Sequence, residues 1–297
     1  MWMLYAIGGY ALLAVESVLS KFLLAARLKN WQLYTFYIGI FSGFVVVFTP
    51  FGMEWSGPKP FFAAVFSGFV FYLALAFLFQ SLMKSSAVRV YVLFGAVTTL
   101  GTVLLARVFL SEKITPETLI GILCLVVGGA LISFKYYKKS FFSNWQKTVL
   151  AGLLAAFSYV VLKYAYSNQN FVSGYVVSRL GITVSAFFSL LVPSFRKTIW
   201  RELKRGKKKE HVKNFFGSAG AKTVAGTGTL LIHYGIFLGS VVIVNALVSV
   251  QYLLTFVFSV VLSFYWKKIF VEKFTLLNVA VKFAGVALVV LGAVLVG

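Results

Sequence analysis

Ten stretches of mostly apolar residues follow one another along this chain, at 2–26, 31–50, 60–83, 87–109, 116–134, 147–166, 171–193, 218–238, 240–265 and 275–296. An α-helix of about 20 residues rises about 30 Å, the thickness of a bilayer's hydrocarbon. In lipid every backbone amide and carbonyl must be satisfied inside its own segment or a closed barrel, and runs of this length and character select the helix. The expectation is an all-α integral membrane protein with ten transmembrane helices. Breakers separate the runs: Pro50, the turn at 57–60, Pro116 at a helix start and Pro193 at a helix end. The first run has no basic region before it and carries Glu16, so it reads as a spanning helix and not as a cleaved signal peptide.

Charge narrows the function classes. The chain has 28 Lys and Arg against seven Glu and no Asp, a formal charge of +21. On a soluble domain this balance points to nucleic acid; between membrane spans it marks loops held in the cytoplasm. Two basic stretches carry most of it, a linker at 135–147 and a loop at 195–213. The second has the makings of an interfacial helix anchored by Trp200, or of a site for anionic lipid. No fold signal for a nucleic-acid partner accompanies either. Two His, one Cys (Cys124) and no Asp are too few for zinc or serine chemistry, so the chain reads as no enzyme. No Walker-type phosphate loop occurs, which argues against direct ATP coupling, and nothing implies a metal or another cofactor.

The strongest organisational signal is internal. Residues 14–21 align with 156–163 without a gap, ending on Lys21 and Lys163, and Gly39-Ile40 pairs with Gly181-Ile182 in the same register. Further on, Ser111-Glu112-Lys113-Ile114-Thr115 parallels Val271-Glu272-Lys273-Phe274-Thr275, and the runs after them echo each other. The expected division is a first five-helix repeat at 1–134, a basic linker at 135–146, and a second repeat at 147–297 that contains the basic loop 195–216. Five helices per repeat force the second copy to enter from the opposite face. Inverted repeats of this kind place a substrate near the midplane, where one half rocks against the other.

The five-plus-five layout, with Glu112-Lys113-Ile114-Thr115 and Glu272-Lys273-Phe274-Thr275 before the last helix of each half, resembles the EamA-type transporters of the drug/metabolite transporter superfamily. The resemblance covers nearly the whole chain. It implies a secondary active transporter of a small metabolite or drug-like solute, working by alternating access in a cell membrane. The alternatives are a flippase of a lipid-linked sugar or another amphiphile and, less favoured, a passive channel.

Glu16 is the acid inside a predicted span, where a charge costs about 2.5–3.5 kcal/mol on insertion scales. Apolar surroundings favour the neutral form of a carboxyl, which suits Glu16 to carrying a proton or meeting substrate. The small multidrug members of the resembled superfamily use a first-helix Glu in this way, and Glu16 is similar by position. Arg179, eight residues into the seventh run, is placed to pair with Glu16 or to clamp a carboxylate or phosphate. Tyr72, Tyr91 and Tyr159 are candidates for an aromatic cavity. His233, Asn245 and Gln251 either bind substrate or cross-link helices. Lys21, Arg89, Arg107 and Lys163 lie near helix ends, where long side chains snorkel to the interface. Gly39, Gly43, Gly181, Gly235 and Gly239, at small-residue spacing, are read as packing devices.

Orientation is pulled two ways. The loops after the odd-numbered runs hold nearly all the basic residues, which places both termini outside. The family resemblance implies termini inside.

Overall fold

The structure, a computed structural model, describes residues 1–24, 30–84, 87–133, 145–205, 208–265 and 276–296. The second Glu-Lys copy at 272–275, most of the midpoint linker and the side chains of Lys21 and Arg89 lie outside the described residues.

The described chain is helical, without a strand. Helix α1 covers Trp2–Leu24 and α2 covers Trp31–Ser42, which tightens into a 3-10 helix at Gly43–Phe51. Then come α3 (Pro58–Leu82), α4 (Ala87–Phe109), α5 (Pro116–Ser133), α6 (Trp145–Ser167) and α7 (Phe171–Ser189). The remainder is α8 (Pro193–Arg205), α9 (Lys208–Leu238), α10 (Val241–Ala246), α11 (Val248–Tyr265) and α12 (Leu276–Val296). Prolines open α3, α5 and α8, where the missing amide hydrogen goes unneeded.

Among the described residues seven stretches are long and apolar enough to cross a membrane: Trp2–Leu19, Trp31–Phe51, Pro58–Leu82, Val90–Phe109, Trp145–Ser167, Phe171–Ser189 and Val241–Leu262. Shorter apolar helices occur at Pro116–Ile132, Thr223–Leu238 and Ala280–Val296. This is a multi-pass membrane protein. Its outward side chains fit lipid: Phe44, Leu104, Val108, Phe187 and Phe283 are all exposed.

Two expectations fail. The basic segment at 195–216 is not a loop, because α8 and the first turns of α9 run through it. Within α8, Phe195 and Ile199 fall on one face while Arg196, Lys197, Trp200, Arg201 and Lys204 face out. Phe195 meets Trp31 of α2 edge-on at 5.1 Å, so the apolar face has a partner that favours helix over coil. The ninth run, expected as one helix, breaks at Leu247 without a proline. Four consecutive β-branched residues, Val241 to Val244, form weak helix ahead of the break, and a side chain from α4 takes a carbonyl beside it. Ser240 Oγ caps the start of α10, accepting from the Ile243 amide at 3.1 Å. Thr99 Oγ1 donates to the Asn245 carbonyl at 3.2 Å, and the Val250 amide turns back to the Leu247 carbonyl at 2.9 Å.

Helix contacts run α3 on α6 and α7, α1 on α9 and α11, α4 on α6, and α5 on α12. Lipid tails are as apolar as leucine, so these contacts rest on close approach and interhelical hydrogen bonds. At the α5–α12 crossing the backbones touch through Gly121 against Gly292 and Gly128 against Gly285. A Cβ at Gly128 would stand 2.8 Å from the Gly285 carbonyl oxygen. Between α3 and α6, Ser67 and Ser158 each donate to the other's backbone carbonyl, at 3.0 and 2.9 Å.

One end of the bundle is defined by polar ties. Asn170 caps α7 through the Ser173 amide at 2.8 Å and reaches the Gly52 carbonyl at 2.9 Å. Ser173 Oγ also binds the backbone of Glu54. The α1 start joins this end, with Trp2 against Gly239. Lys147 to Gln80, 2.7 Å, links the start of α6 to the end of α3 on the other side.

Candidate functional site

Helices α6, α7 and α9 bring a polar cluster together inside the bundle. Arg179 lies eight residues into α7, about 12 Å along the axis from its start. Its Nη2 donates to Nε2 of the buried His233 on α9, 2.7 Å away. The imidazole's other nitrogen, Nδ1, stands 3.2 Å from the Tyr166 hydroxyl on α6. The Tyr175 ring, one turn before Arg179, lies 5.2 Å from the guanidinium carbon, a cation–π distance. The Tyr175 ring also meets His233 at 5.5 Å between centroids, and the Tyr159 ring does so at 6.1 Å. Arg179 Nε is buried and has no partner among the described residues.

A second cluster lies on α1, α4 and α11. Glu16 is half-buried and sits 14 residues into α1, about 21 Å from the end at which α1 and α7 begin. It is therefore deeper than Arg179 from that end. Next to it in sequence, Ser17 Oγ accepts from Gln251 Nε2 of α11 at 3.3 Å. Tyr91, 43% exposed, is within electrostatic range of Glu16, Tyr34 and Tyr252. The Tyr252 hydroxyl donates to the Tyr91 carbonyl at 2.9 Å. Tyr10 of α1 is buried in the core. A cavity of about 10 Å³, lined by Gly95, Thr99, Ala130, Ser249 and Tyr252 among others, opens between α4, α5 and α11.

The remaining candidates divide. The Tyr72 hydroxyl donates to Ser189 Oγ at 3.1 Å, and its ring packs with Ile182 and Ala186, apart from both clusters. Asn245 Nδ2 donates to Thr102 Oγ1 at 3.2 Å, tying α10 to α4. Gly39 faces Ala186 and Tyr72, Gly43 faces Thr183, Gly181 faces Val65, Gly235 faces Ala6 and Gly239 faces Trp2, all across helix crossings. Arg179 and Glu16 do not meet in an ion pair: the guanidinium goes to His233.

Lys163 departs from its expected snorkelling. Its Nζ donates to three carbonyls at the end of α9, Ile236 at 2.8 Å, Phe237 at 3.1 Å and Gly239 at 2.7 Å. A helix's last carbonyls are unpaired and carry the negative end of its dipole, which gives the ammonium a better seat than the interface. Lys282 is buried too, with Nζ 4.3 Å from the Phe256 ring centroid.

Sequence reading passed over Tyr10, Tyr166, Tyr175 and Tyr252. A signal existed for two of them. Tyr159, Lys163 and Tyr166 fall at i, i+4 and i+7 of one helix, and Tyr175 precedes Arg179 by four.

No protein-family model matches the chain, and no curated protein matches it. Among solved structures, one crystallised protein superposes on 97% of this chain and 94% of its own, with a TM-score of 0.64 and 15% identity. That likeness shows a shared fold.

Proposed function

We propose that the protein is a secondary active transporter of a small solute in a cell membrane, built as two inverted five-helix repeats of the EamA type and coupled to protons through Glu16. The observation that carries this reading is a carboxyl about 21 Å into α1, on a helix that packs against α9 and α11 and whose neighbouring Ser17 accepts a hydrogen bond from Gln251 of α11. The helix contacts support it. Counting α10 and α11 as one span and setting α8 aside, exchange of each span with the one five places on turns α3–α6 into α1–α9. The same exchange turns α4–α6 into α1–α11 and leaves α5–α12 and α2–α7 unchanged. The crossing glycines fit as well, since Gly121 to Gly285 and Gly128 to Gly292 are both steps of 164.

The break at Leu247 adds a place where one span can bend, as discontinuous helices do in transporters. The test is untargeted metabolite profiling inside and outside cells that overexpress wild type or Glu16→Gln. A compound class redistributed by wild type alone supports proton-coupled transport. Equal redistribution by both removes Glu16 from the coupling, and none in either removes the transporter reading for the solutes that host makes.

A further inference from the structure

Resting on that reading, we propose that Arg179 is the anion-binding residue of the substrate site, and that the transported solute carries a carboxylate or phosphate group on an aromatic or otherwise apolar body.

The argument begins with charge. A guanidinium is always protonated and only donates. About 12 Å into a membrane span it needs a counter-charge, yet the contacts that hold Arg179 are neutral: the His233 imidazole at one nitrogen and the Tyr175 ring at one face. Among the described residues no carboxylate closes the pair. The acid within the spans, Glu16, lies about 9 Å further along the bundle axis.

Orientation comes next. Because Arg179 donates to Nε2, His233 carries its proton on Nδ1 and donates that N–H in a hydrogen bond to the Tyr166 oxygen. Tyr166 therefore fixes the imidazole, and the imidazole fixes the guanidinium. A clamp on one nitrogen and one face leaves other donors of the fork over, and one of them, Nε, is buried and unpartnered. A buried donor without an acceptor costs about 1–3 kcal/mol, more for a charged group. A carboxylate or phosphate oxygen at Nε removes that cost and supplies the missing charge.

The surroundings set the rest of the ligand. The Tyr159 and Phe71 rings meet at a tilt with centroids 5.6 Å apart, and Phe171 stacks on Tyr175 at 5.4 Å. These are flat ring faces whose hydroxyls sit only at the tyrosine rims, suited to an aromatic body and not to a bare inorganic ion.

The probes are benzoate and phenyl phosphate, with benzyl alcohol as the uncharged control, added to the full chain in nanodiscs of phosphatidylcholine and read by thermal unfolding. Wild type should be stabilised by the two anions and not by the alcohol. A charged hydrogen bond of about 1.5–3 kcal/mol predicts that Arg179→Gln binds the anions about 10–100-fold more weakly. Arg179→Lys, which keeps the charge without the fork, should fall between them and serves if the Gln variant does not fold. Stabilisation by phosphatidylglycerol in the disc, lost in the variants, with no response to the soluble anions, would assign the same subsite to a lipid headgroup. Equal response to alcohol and anions, or anion binding unchanged in both variants, would overturn the proposal. Gradient-driven flux without Arg179-dependent binding would do so while leaving the transporter reading intact; binding without flux would do the reverse.

Discussion

Arg179 and His233 share a hydrogen bond of 2.7 Å in which the arginine is the only possible donor. This single contact dictates the histidine's tautomer and, through it, the role of Tyr166. With Nε2 accepting, Nδ1 bears the proton and the Tyr166 oxygen accepts it at 3.2 Å. A relay of three residues on three helices thereby holds one charge in place.

The relay predicts a graded series. Tyr166→Phe removes the last link only, and interhelical hydrogen bonds in membranes average about 0.6 kcal/mol, so unfolding stability should drop by about that amount. His233→Ala removes the acceptor for a buried cation and should cost about 2 kcal/mol or more. His233→Gln, able to accept through its amide oxygen, should recover part of the loss. Thermal unfolding in detergent ranks the three, and equal stability of His233→Ala and wild type would show that the contact carries no weight.

Lys163 provides an independent check on the bundle's N-terminal end. Its ammonium meets three carbonyls at the end of α9, so Lys163→Met should lower stability by about 1.5–3 kcal/mol, the range of one well-formed charged hydrogen bond. The methionine keeps the volume and apolar stem, which isolates the charge. Were Lys163 merely snorkelling, the same change in a helix end would move the midpoint little.

How much of this was legible depends on what each feature rests on. Span positions follow from apolar length, and α4, expected at 87–109, occupies Ala87–Phe109. Pro116 marks a helix start as expected because proline acts locally, whereas Pro193, read as a helix end, opens α8. The break at Leu247 was not legible, since the carbonyl beside it is met by a hydroxyl from Thr99 in the other half of the chain. For α8 the basic residues and Trp200 left loop and interfacial helix both open, because the partner that decides it, Trp31, is distant in sequence. In the site, Glu16 and Arg179 stand out as charges in apolar runs, whereas Tyr10 looks like any other tyrosine until the fold buries it.

The α5–α12 crossing should be the least tolerant of bulk. A side chain at Gly128 meets the Gly285 carbonyl and the Val289 side chain, at 2.8 and 2.9 Å from its Cβ. Overpacking costs about 1–3 kcal/mol, and Gly128→Leu should show it as a lower unfolding midpoint and a poorer yield of monodisperse protein. Gly226→Leu, where a Cβ meets nothing within 4 Å, is the matched control. Equal loss in both would point to helix propensity or insertion, not to the crossing.

Ser67 and Ser158 offer a measure of how far polar contacts hold the two halves together. Each hydroxyl donates to the other residue's carbonyl, and the two oxygens are 3.2 Å apart, so removing one side chain also disturbs the bond made by the other. Ser67→Ala and Ser158→Ala should therefore not add. Polar pairs in membranes couple by about 0.6 kcal/mol on average and up to about 1.7, and a reciprocal pair belongs toward the upper end. Reversible unfolding of the two single variants and the double variant in mixed micelles closes the cycle. A coupling indistinguishable from zero would mean that each hydroxyl finds another acceptor within its own helix, and that α3 and α6 are held by backbone proximity alone.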